Sequence, residues 1–296
     1  MTINNLNCFT ASFNADFRFE EIQSKIRNLE EKMKMPKSVQ LELAAFNESP
    51  SANLTYNAVK IPTWFLFKYE DIPLRFRITD LDDPRLTDQN YLSCLAEWMN
   101  EKFREAGISS VIHTADYVKL QTVIKFMRDQ NLYEKSKDFT LGHELSHLNH
   151  AQLGQWSLSH MKESISLAGI IGGILLLFLA LSIIPFVHLA VTLTVGGTAV
   201  TMAILGMLAY LKTMISSQSV IEEEKSADIK SAEVLQDAVG GIYLFETYRH
   251  QNLTIRHRDP TRHIDENGNN LRDKNHPPLT EMIAYLKAWQ SQNTRA

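Results

Sequence analysis

Two stretches of the N-terminal half carry apolar residues at the three- and four-residue spacing of amphipathic helices. The first is a charged stretch that ends before Pro36, and its apolar positions are Phe19, Ile22, Ile26, Leu29 and Met33. The second comprises residues 87–106 and is followed by Gly107, a residue that commonly ends helices. Its apolar positions are Leu92, Leu95, Met99 and Phe103. We expect each stripe to pack on a hydrophobic core.

A small sheet is predicted between these two helices. The segments SVQLELAAF from Ser38 and PLRFRITD from Pro73 alternate apolar and polar residues, and IPTWFLF from Ile61 is a denser apolar run. Alternation with a period of two is typical of strands that bury one face. We therefore predict a few short strands, whose free edge offers a pairing site for a peptide.

A long uncharged segment lies near the middle of the chain. From Ile165 to Leu211 it contains no Asp, Glu, Lys or Arg, and it is more than twice the ~20 residues with which a helix spans a bilayer. Pro185 interrupts it and fits a turn better than a helix interior. The pattern predicts two membrane helices, 165–185 and 189–211. The alternative is a buried helical hairpin in a large core.

The flanks of this segment give a topology. Two spans joined by a short turn return the chain to the side that it left, and Lys162 and Lys212 lie just outside the two ends, whereas the turn has no Lys or Arg. The positive-inside rule then places both flanks in the cytoplasm. The predicted localisation is an integral membrane protein with two spans, in a bacterial inner membrane with the active site on the cytoplasmic side. The lipid bilayer is a predicted partner.

Composition fits a folded chain of one or two domains, with 296 residues, 44% apolar content, 22% charged residues and a formal net charge of −4. This charge gives no signature of polyanion binding, so we expect no nucleic-acid partner. The two cysteines, Cys8 and Cys94, are too few for a disulfide framework, which suits a reducing compartment. The sequence does not fix an oligomeric state.

The segment FTLGHELSHLNH, residues 139–150, has the spacing of a metal site. His143 and His147 project from one face of a helix about one turn apart, so both imidazoles reach one ion. In metallopeptidases, a glutamate at the position of Glu144 takes a proton from the water that the metal activates. The alternative is a chance match without metal, because short motifs recur by accident.

A third ligand is expected beyond the uncharged segment, in VIEEEKSADIKSAEVLQDA, residues 220–238. Its candidates are Glu222, Glu223 and Glu224. Glu224 is favoured because it stands four residues before Asp228 on one helical face. Glu224 would then bind the ion while Asp228 orients a ligand histidine. The alternative is a solvated acidic helix start, which is common.

The order of these motifs resembles a known family. HELSH at 143–147, an apolar insertion and EKSAD at 224–228 are similar to the HtpX-type membrane zinc metallopeptidases, relatives of the CAAX prenyl proteases, whose pattern is HExxH followed by ExxAD. NHPPLTEMIAYLKAW, residues 275–289, resembles the C-terminal stretch of the family, in which His-Pro opens a final helix. The resemblance covers residues 138–290.

The chain departs from the family in two places. Met282 stands where the family usually has arginine in the closing helix. The Asn-Ala segment that supplies an edge strand beside the family's site has a loose counterpart in YNAVKIP, residues 56–62, which points to Asn57 and Ala58.

The resemblance implies a Zn²⁺ cofactor held by His143, His147 and Glu224, with Glu144 as general base. It implies hydrolysis of peptide bonds in membrane or misfolded proteins. In this scheme His276 hydrogen-bonds the oxyanion of the tetrahedral intermediate; the alternative is that His276 caps the last helix. The alternative function is a catalytically lapsed membrane adaptor or chaperone-like protein that retains the fold.

The predicted fold class is α+β and mainly helical: a zincin-like metallopeptidase domain with a small N-terminal sheet and an inserted two-helix transmembrane hairpin. Residues 1–36 form the amphipathic helix region, and residues 37–164 form the first part of the peptidase domain with the HExxH helix. Residues 165–211 form the hairpin. Residues 212–296 complete the peptidase domain with the ExxAD helix and the His-Pro helix, joined by an irregular polar linker at 256–278.

Overall fold

The computed structural model describes residues 14–153 and 220–293. In these two stretches the chain is mainly helical and contains one three-stranded sheet. The helices are α1 Ala15–Met33, α2 Gln89–Glu105, α3 Tyr117–Phe126, α4 Gln130–Gln152, α5 at 220–235, α6 Val239–Arg258 and α7 Leu279–Asn293. The strands are β1 Gln40–Ala44, β2 Ser51–Asn53 and β3 Ala58–Pro62.

The two amphipathic helices of the N-terminal half are confirmed. The side chain of Asn14 accepts a hydrogen bond from the backbone N–H of Phe17 and starts α1, and the left-handed residue Lys34 ends it. Asp88 caps α2 in the same way, through the N–H of Asn90. The predicted apolar stripes face the main core, in which Ile26 and Leu92 are among the fully buried residues. Helices α3 and α6 were not predicted.

The sheet has β3 in the centre, with β1 parallel to it on one side and β2 antiparallel on the other. Val59 pairs with Leu41 of β1 and with Ala52 of β2. Only the first predicted strand, from Ser38, is confirmed as a whole element. The apolar run from Ile61 continues β3 only to Pro62 and then forms a short 3₁₀ helix, Thr63–Leu66, whose side chains are buried.

The strand predicted from Pro73 is wrong. This segment holds a 3₁₀ turn, Leu74–Phe76, and its carbonyl groups are bound by arginine side chains. The Arg85 guanidinium donates to the carbonyls of Arg75 at 3.0 Å and Arg77 at 2.8 Å, and Arg77 Nε donates to the carbonyl of Ile72 at 2.7 Å. The backbone acceptors are therefore satisfied without a neighbouring strand.

No helix in residues 14–153 and 220–293 is long and apolar enough to cross a membrane. Apolar residues occupy one face of helices such as α1 and α2, and charged residues occupy the others. The predicted spans, 165–185 and 189–211, lie outside the described residues. For the described chain, the predictions of an inserted transmembrane hairpin and of a two-span membrane localisation are therefore wrong. The fold class is corrected to a mainly helical α+β arrangement with a small sheet.

Helix α4 lies in close contact with α5 and α6. A Cβ atom on Gly142 of α4 would overlap the hydroxyl of Ser231 in α5, and one on Gly240 of α6 would overlap the backbone carbonyl of Lys135 in α4. The Ser231 hydroxyl also donates to the carbonyl of Phe139 at 2.7 Å. Small residues thus let the three backbones approach, which brings the two predicted motifs together.

We predict that Gly240→Ala destabilises the protein by about 1–3 kcal/mol, the usual cost of overpacking. Alanine is otherwise the better helix former, so the sign of the change reports the clash with the backbone of Lys135. Urea unfolding followed by circular dichroism measures the effect. Ser24→Ala, at an exposed position of α1, is the control and should change the free energy of unfolding by less than ~0.5 kcal/mol. A Gly240→Ala variant as stable as the wild type would contradict the close approach of α4 and α6.

Candidate metal centre

The HELSH segment is helical and lies within α4, as predicted. The helix starts at Asp129, whose side chain accepts a hydrogen bond from the backbone N–H of Leu132 at 2.9 Å. His143 and His147 are one turn apart on one face, and their ring centroids are 4.8 Å apart. Both imidazoles therefore point at one small volume between α4 and α5.

Glu224 of α5 meets the two histidines there. The distance between His143 Nε2 and His147 Nε2 is 3.1 Å, and Glu224 lies 3.2 Å from the first nitrogen and 3.5 Å from the second, through its two different oxygens. Ligand atoms about 2.0–2.1 Å from a tetrahedral zinc ion are about 3.3–3.4 Å from one another. Each histidine nitrogen thus lies near this distance from the other and from one of the two Glu224 oxygens, and three such ligands would leave a fourth position of a tetrahedral ion open.

Buried polar atoms at this point lack hydrogen-bond partners. Glu224 Oε2 is one of them, because its contact with His143 Nε2 does not have hydrogen-bond geometry. His147 Nδ1 and Glu223 Oε1 are two others, and they face each other at 3.7 Å. Leaving a buried polar group unsatisfied costs about 1–3 kcal/mol, and more when the group is charged. A bound cation would satisfy the Glu224 carboxylate, so these residues fit a zinc ion.

Asp228 contacts the ring nitrogen of His143 that does not face Glu224. Its side chain is fully buried, and one carboxylate oxygen lies 2.8 Å from His143 Nδ1. The other oxygen accepts a hydrogen bond from the hydroxyl of Tyr285 in α7. A histidine whose Nδ1–H donates to a carboxylate keeps Nε2 free as a ligand atom. The geometry agrees with the orienting role predicted for Asp228, whereas Tyr285 was not predicted.

Opposite charges control the protonation of the cluster. Burial favours the neutral form of His143, but the hydrogen bond and charge of Asp228, with Glu224 nearby, hold the pKa of the imidazole well above its usual value. Burial acts in the same direction on His147, and Glu223 and Glu224 outweigh it and raise that pKa to about 9. Burial raises the pKa of Glu224, but the two histidines lower it far more. The site is thus built to hold positive charge.

Glu144 is buried beside the two histidines. Burial raises the pKa of its carboxyl group, while His143, His147 and a backbone hydrogen bond from Ala52 act in the opposite direction, and the net change is upward. Ala52 belongs to β2, which is an edge strand of the described sheet. The sheet edge, the carboxylate and the histidines therefore meet at one place.

The edge strand beside the site is β2, not the segment that contains Asn57 and Ala58. Asn57 lies in the turn between β2 and β3 with a positive φ of 50°, and Ala58 opens the central strand β3. Gln152, at the end of α4, donates to Asn57 Oδ1 at 2.7 Å and ties this turn to the helix. A strand of three residues is too short to show alternation, so the turn formers Asn53 and Asn57 are its only sequence signal.

His276 faces the site from the loop before α7. Its Nε2 lies 3.7 Å from Glu224 Oε2, and its Nδ1 lies 3.0 Å from a carboxylate oxygen of Asp273. The start of α7 is bound by a different residue, because the backbone N–H of Thr280 donates to Asn269 Oδ1 at 3.1 Å. The imidazole of His276 is thus oriented by Asp273 and turned toward Glu224.

Met282 is buried in a second apolar cluster and takes no part in the charged site. The cluster also contains Phe139, Phe245, Ile283 and Leu286. No charge replaces the arginine expected at this position from the resemblance. One turn of α7 further on, Tyr285 supplies the polar contact to Asp228.

The structure brings together all six residues predicted for the site, which are His143, Glu144, His147, Glu224, Asp228 and His276. The ligand atoms that His143, His147 and Glu224 offer lie within 4.8 Å of one another. Comparisons of the chain with protein-family models, with curated proteins and with solved structures find no match. The chemistry of the site is therefore argued from its geometry.

We predict that Glu224→Ala lowers the affinity for zinc more than about 100-fold. Removal of a ligand should weaken binding more than removal of a residue that only orients a ligand, which typically lowers metal affinity ~10–100-fold. Competition with a chromogenic chelator measures this affinity. Glu222→Ala is the matched control, since Glu222 is an exposed carboxylate on the same helix and should have no effect. Unchanged zinc affinity in Glu224→Ala, or an equal loss of zinc affinity in Glu222→Ala, would contradict the assignment of Glu224 as the third ligand.

Proposed function

We propose that this protein is a zinc-dependent endopeptidase that hydrolyses peptide bonds of protein substrates, like the HtpX-type metallopeptidases that its motifs resemble. The observation that supports the proposal most is the convergence of His143, His147 and Glu224 on one small volume next to a buried carboxylate, Glu144. Each of these four residues has a distinct chemical task in hydrolysis.

His143, His147 and Glu224 would hold the ion. Two neutral imidazoles and one carboxylate reduce the charge of a divalent ion to a single positive charge and leave a fourth position open. When bound, zinc supplies a Lewis acid that polarises the scissile carbonyl and makes a water molecule more acidic. Asp228 holds His143 in the orientation in which Nε2 is the ligand atom.

Glu144 is the proposed general base. A carboxylate in a buried position is a stronger base than one in water, because burial raises its pKa. It would accept a proton from the attacking water and deliver it to the leaving amine. The backbone N–H of Ala52 acts on the pKa of this carboxyl group in the opposite direction to burial, which places Glu144 beside strand β2.

The edge strand β2 is the proposed site of peptide alignment. An extended peptide adds to an exposed edge through main-chain hydrogen bonds. The backbone N–H of Ala52 acts to lower the pKa of Glu144, so this edge strand lies beside the proposed general base. A substrate paired with β2 would present its backbone beside the metal ligands.

His276 is the proposed donor to the oxyanion of the tetrahedral intermediate. Asp273 binds Nδ1 and leaves Nε2 turned toward the site. A proton on Nε2 would be donated in a hydrogen bond to the substrate oxygen on which negative charge develops. The ring is 49% exposed, so it can approach a bound substrate.

We predict that Glu144→Gln retains zinc but loses hydrolysis of casein by at least ~10²-fold, because an amide does not accept the proton from water. Zinc content is measured by atomic absorption, and hydrolysis is measured with and without a chelator. Glu222→Gln, at an exposed carboxylate of α5, is the control and should behave as the wild type. Wild-type turnover in Glu144→Gln would exclude Glu144 as the base. A zinc-loaded wild-type protein without hydrolysis would favour a catalytically lapsed binding protein instead.

We also predict that His276→Ala lowers kcat by about 10²–10³-fold, the typical cost of removing one donor to an oxyanion. Zinc affinity and KM should stay near those of the wild type, because His276 is not a metal ligand in this proposal. His263→Ala removes an exposed histidine of the same loop and should leave kcat unchanged. A loss of zinc in His276→Ala, or an unchanged kcat, would contradict the proposed role.

A further inference from the structure

We propose that Tyr285 is a positioning residue of the metal site, acting on His143 through Asp228. This inference rests on the proposed zinc site and assigns a role to a residue that lies outside the ligand and base motifs. The three side chains form one chain of contacts: the Tyr285 hydroxyl donates to one oxygen of Asp228, and the other oxygen binds His143 Nδ1.

The carboxylate of Asp228 needs both contacts to stay in one orientation. It is fully buried, so no solvent can satisfy an oxygen that loses its donor. With the Tyr285 hydroxyl in place, each oxygen has one partner and the carboxylate plane is fixed. Without it, the free oxygen competes for the single N–H of His143, and the imidazole is no longer held in one plane. The ligand atom His143 Nε2 would then point less accurately at the ion.

Helix α7 holds the tyrosine ring in this position. Met282, Ile283 and Leu286 of the same helix are buried in the second apolar cluster and anchor α7 against α6 and Phe139 of α4. The Lys225 ammonium of α5 lies over the Tyr285 ring, 5.4 Å from its centroid, and also 3.8 Å from Glu281 of α7. The ring is thus held between two helices with its hydroxyl directed at Asp228.

The consequence is that α7 controls the orientation of His143, a proposed ligand that belongs to α4, and with it the affinity for zinc. A purely structural tyrosine would affect folding and leave the metal unaltered. A positioning tyrosine would affect the metal even when the fold is intact. The two possibilities therefore differ in a property that is measurable without any substrate.

The experiment compares three single variants of the full chain and one double variant. Tyr285→Phe removes only the hydroxyl, Asp228→Ala removes the carboxylate that links it to His143, and the double variant combines them. Tyr243→Phe is the matched control, because its buried hydroxyl also donates within the core, to the carbonyl of Phe126 at 2.8 Å. Zinc affinity is measured by chelator competition, the cobalt(II) absorption spectrum reports ligand geometry, and thermal melting verifies the fold.

We expect Tyr285→Phe to weaken zinc binding about 3- to 10-fold, the equivalent of one hydrogen bond, and to shift the cobalt(II) spectrum. Tyr243→Phe should change neither. In the Asp228→Ala background, Tyr285→Phe should have no further effect, because the contact through which it acts is gone. Wild-type zinc affinity in Tyr285→Phe, an equal loss in Tyr243→Phe, or additive losses in the double variant would overturn the role of Tyr285 alone. A wild-type protein that binds neither zinc nor cobalt(II) would overturn the metal site itself and this role with it.

Discussion

Asp228 is fully buried, and its two carboxylate oxygens bind His143 of α4 and the Tyr285 hydroxyl of α7. An ionised carboxylate away from water costs several kcal/mol unless its oxygens are paired. The pairing requires α4, α5 and α7 to converge at one point, and the small residues Ala227 and Ser231 beside it leave room for this approach. The position of Glu224 one turn before Asp228 follows from the same convergence. The geometry of the proposed ligands is therefore tied to the pairing of one buried carboxylate.

The parts of the site that sequence could predict are those determined by spacing within one helix. His143 and His147 in α4, and Glu224 and Asp228 in α5, lie four residues apart and must share a face. The two helices lie far apart in the chain, and the prediction that they meet depended on the resemblance to a known order of motifs. Tyr285 had no such signal, because it is one of nine tyrosines and its helix reads as ordinary apolar packing.

The errors in the fold have local causes. The segment from Pro73 alternates like a strand, yet Arg85 binds its carbonyl groups, and no alternation pattern reports such a contact. Strand β2 has too few residues to show the alternation of apolar and polar positions, although Asn57, in the turn that follows it, is a residue type that favours turns. The membrane prediction depended on the composition of one segment, whereas the described helices bury single faces against each other. Composition along a chain carries no information about which faces meet.

The hairpin of β2 and β3 adjoins α4 at two points: Ala52 lies beside Glu144, and Gln152 donates a hydrogen bond to Asn57. The sheet edge and Glu144 are therefore joined through α4, while Glu224 and Asp228 belong to α5. In the proposed function, docking of a peptide on β2 needs only the sheet and α4, whereas loading of the ion also needs Glu224 of α5. If β2 binds peptide, a molecule depleted of metal still captures substrate without turning it over. Such molecules would compete with the loaded ones for substrate, so a lower loaded fraction would reduce turnover both by removing active sites and by withholding substrate.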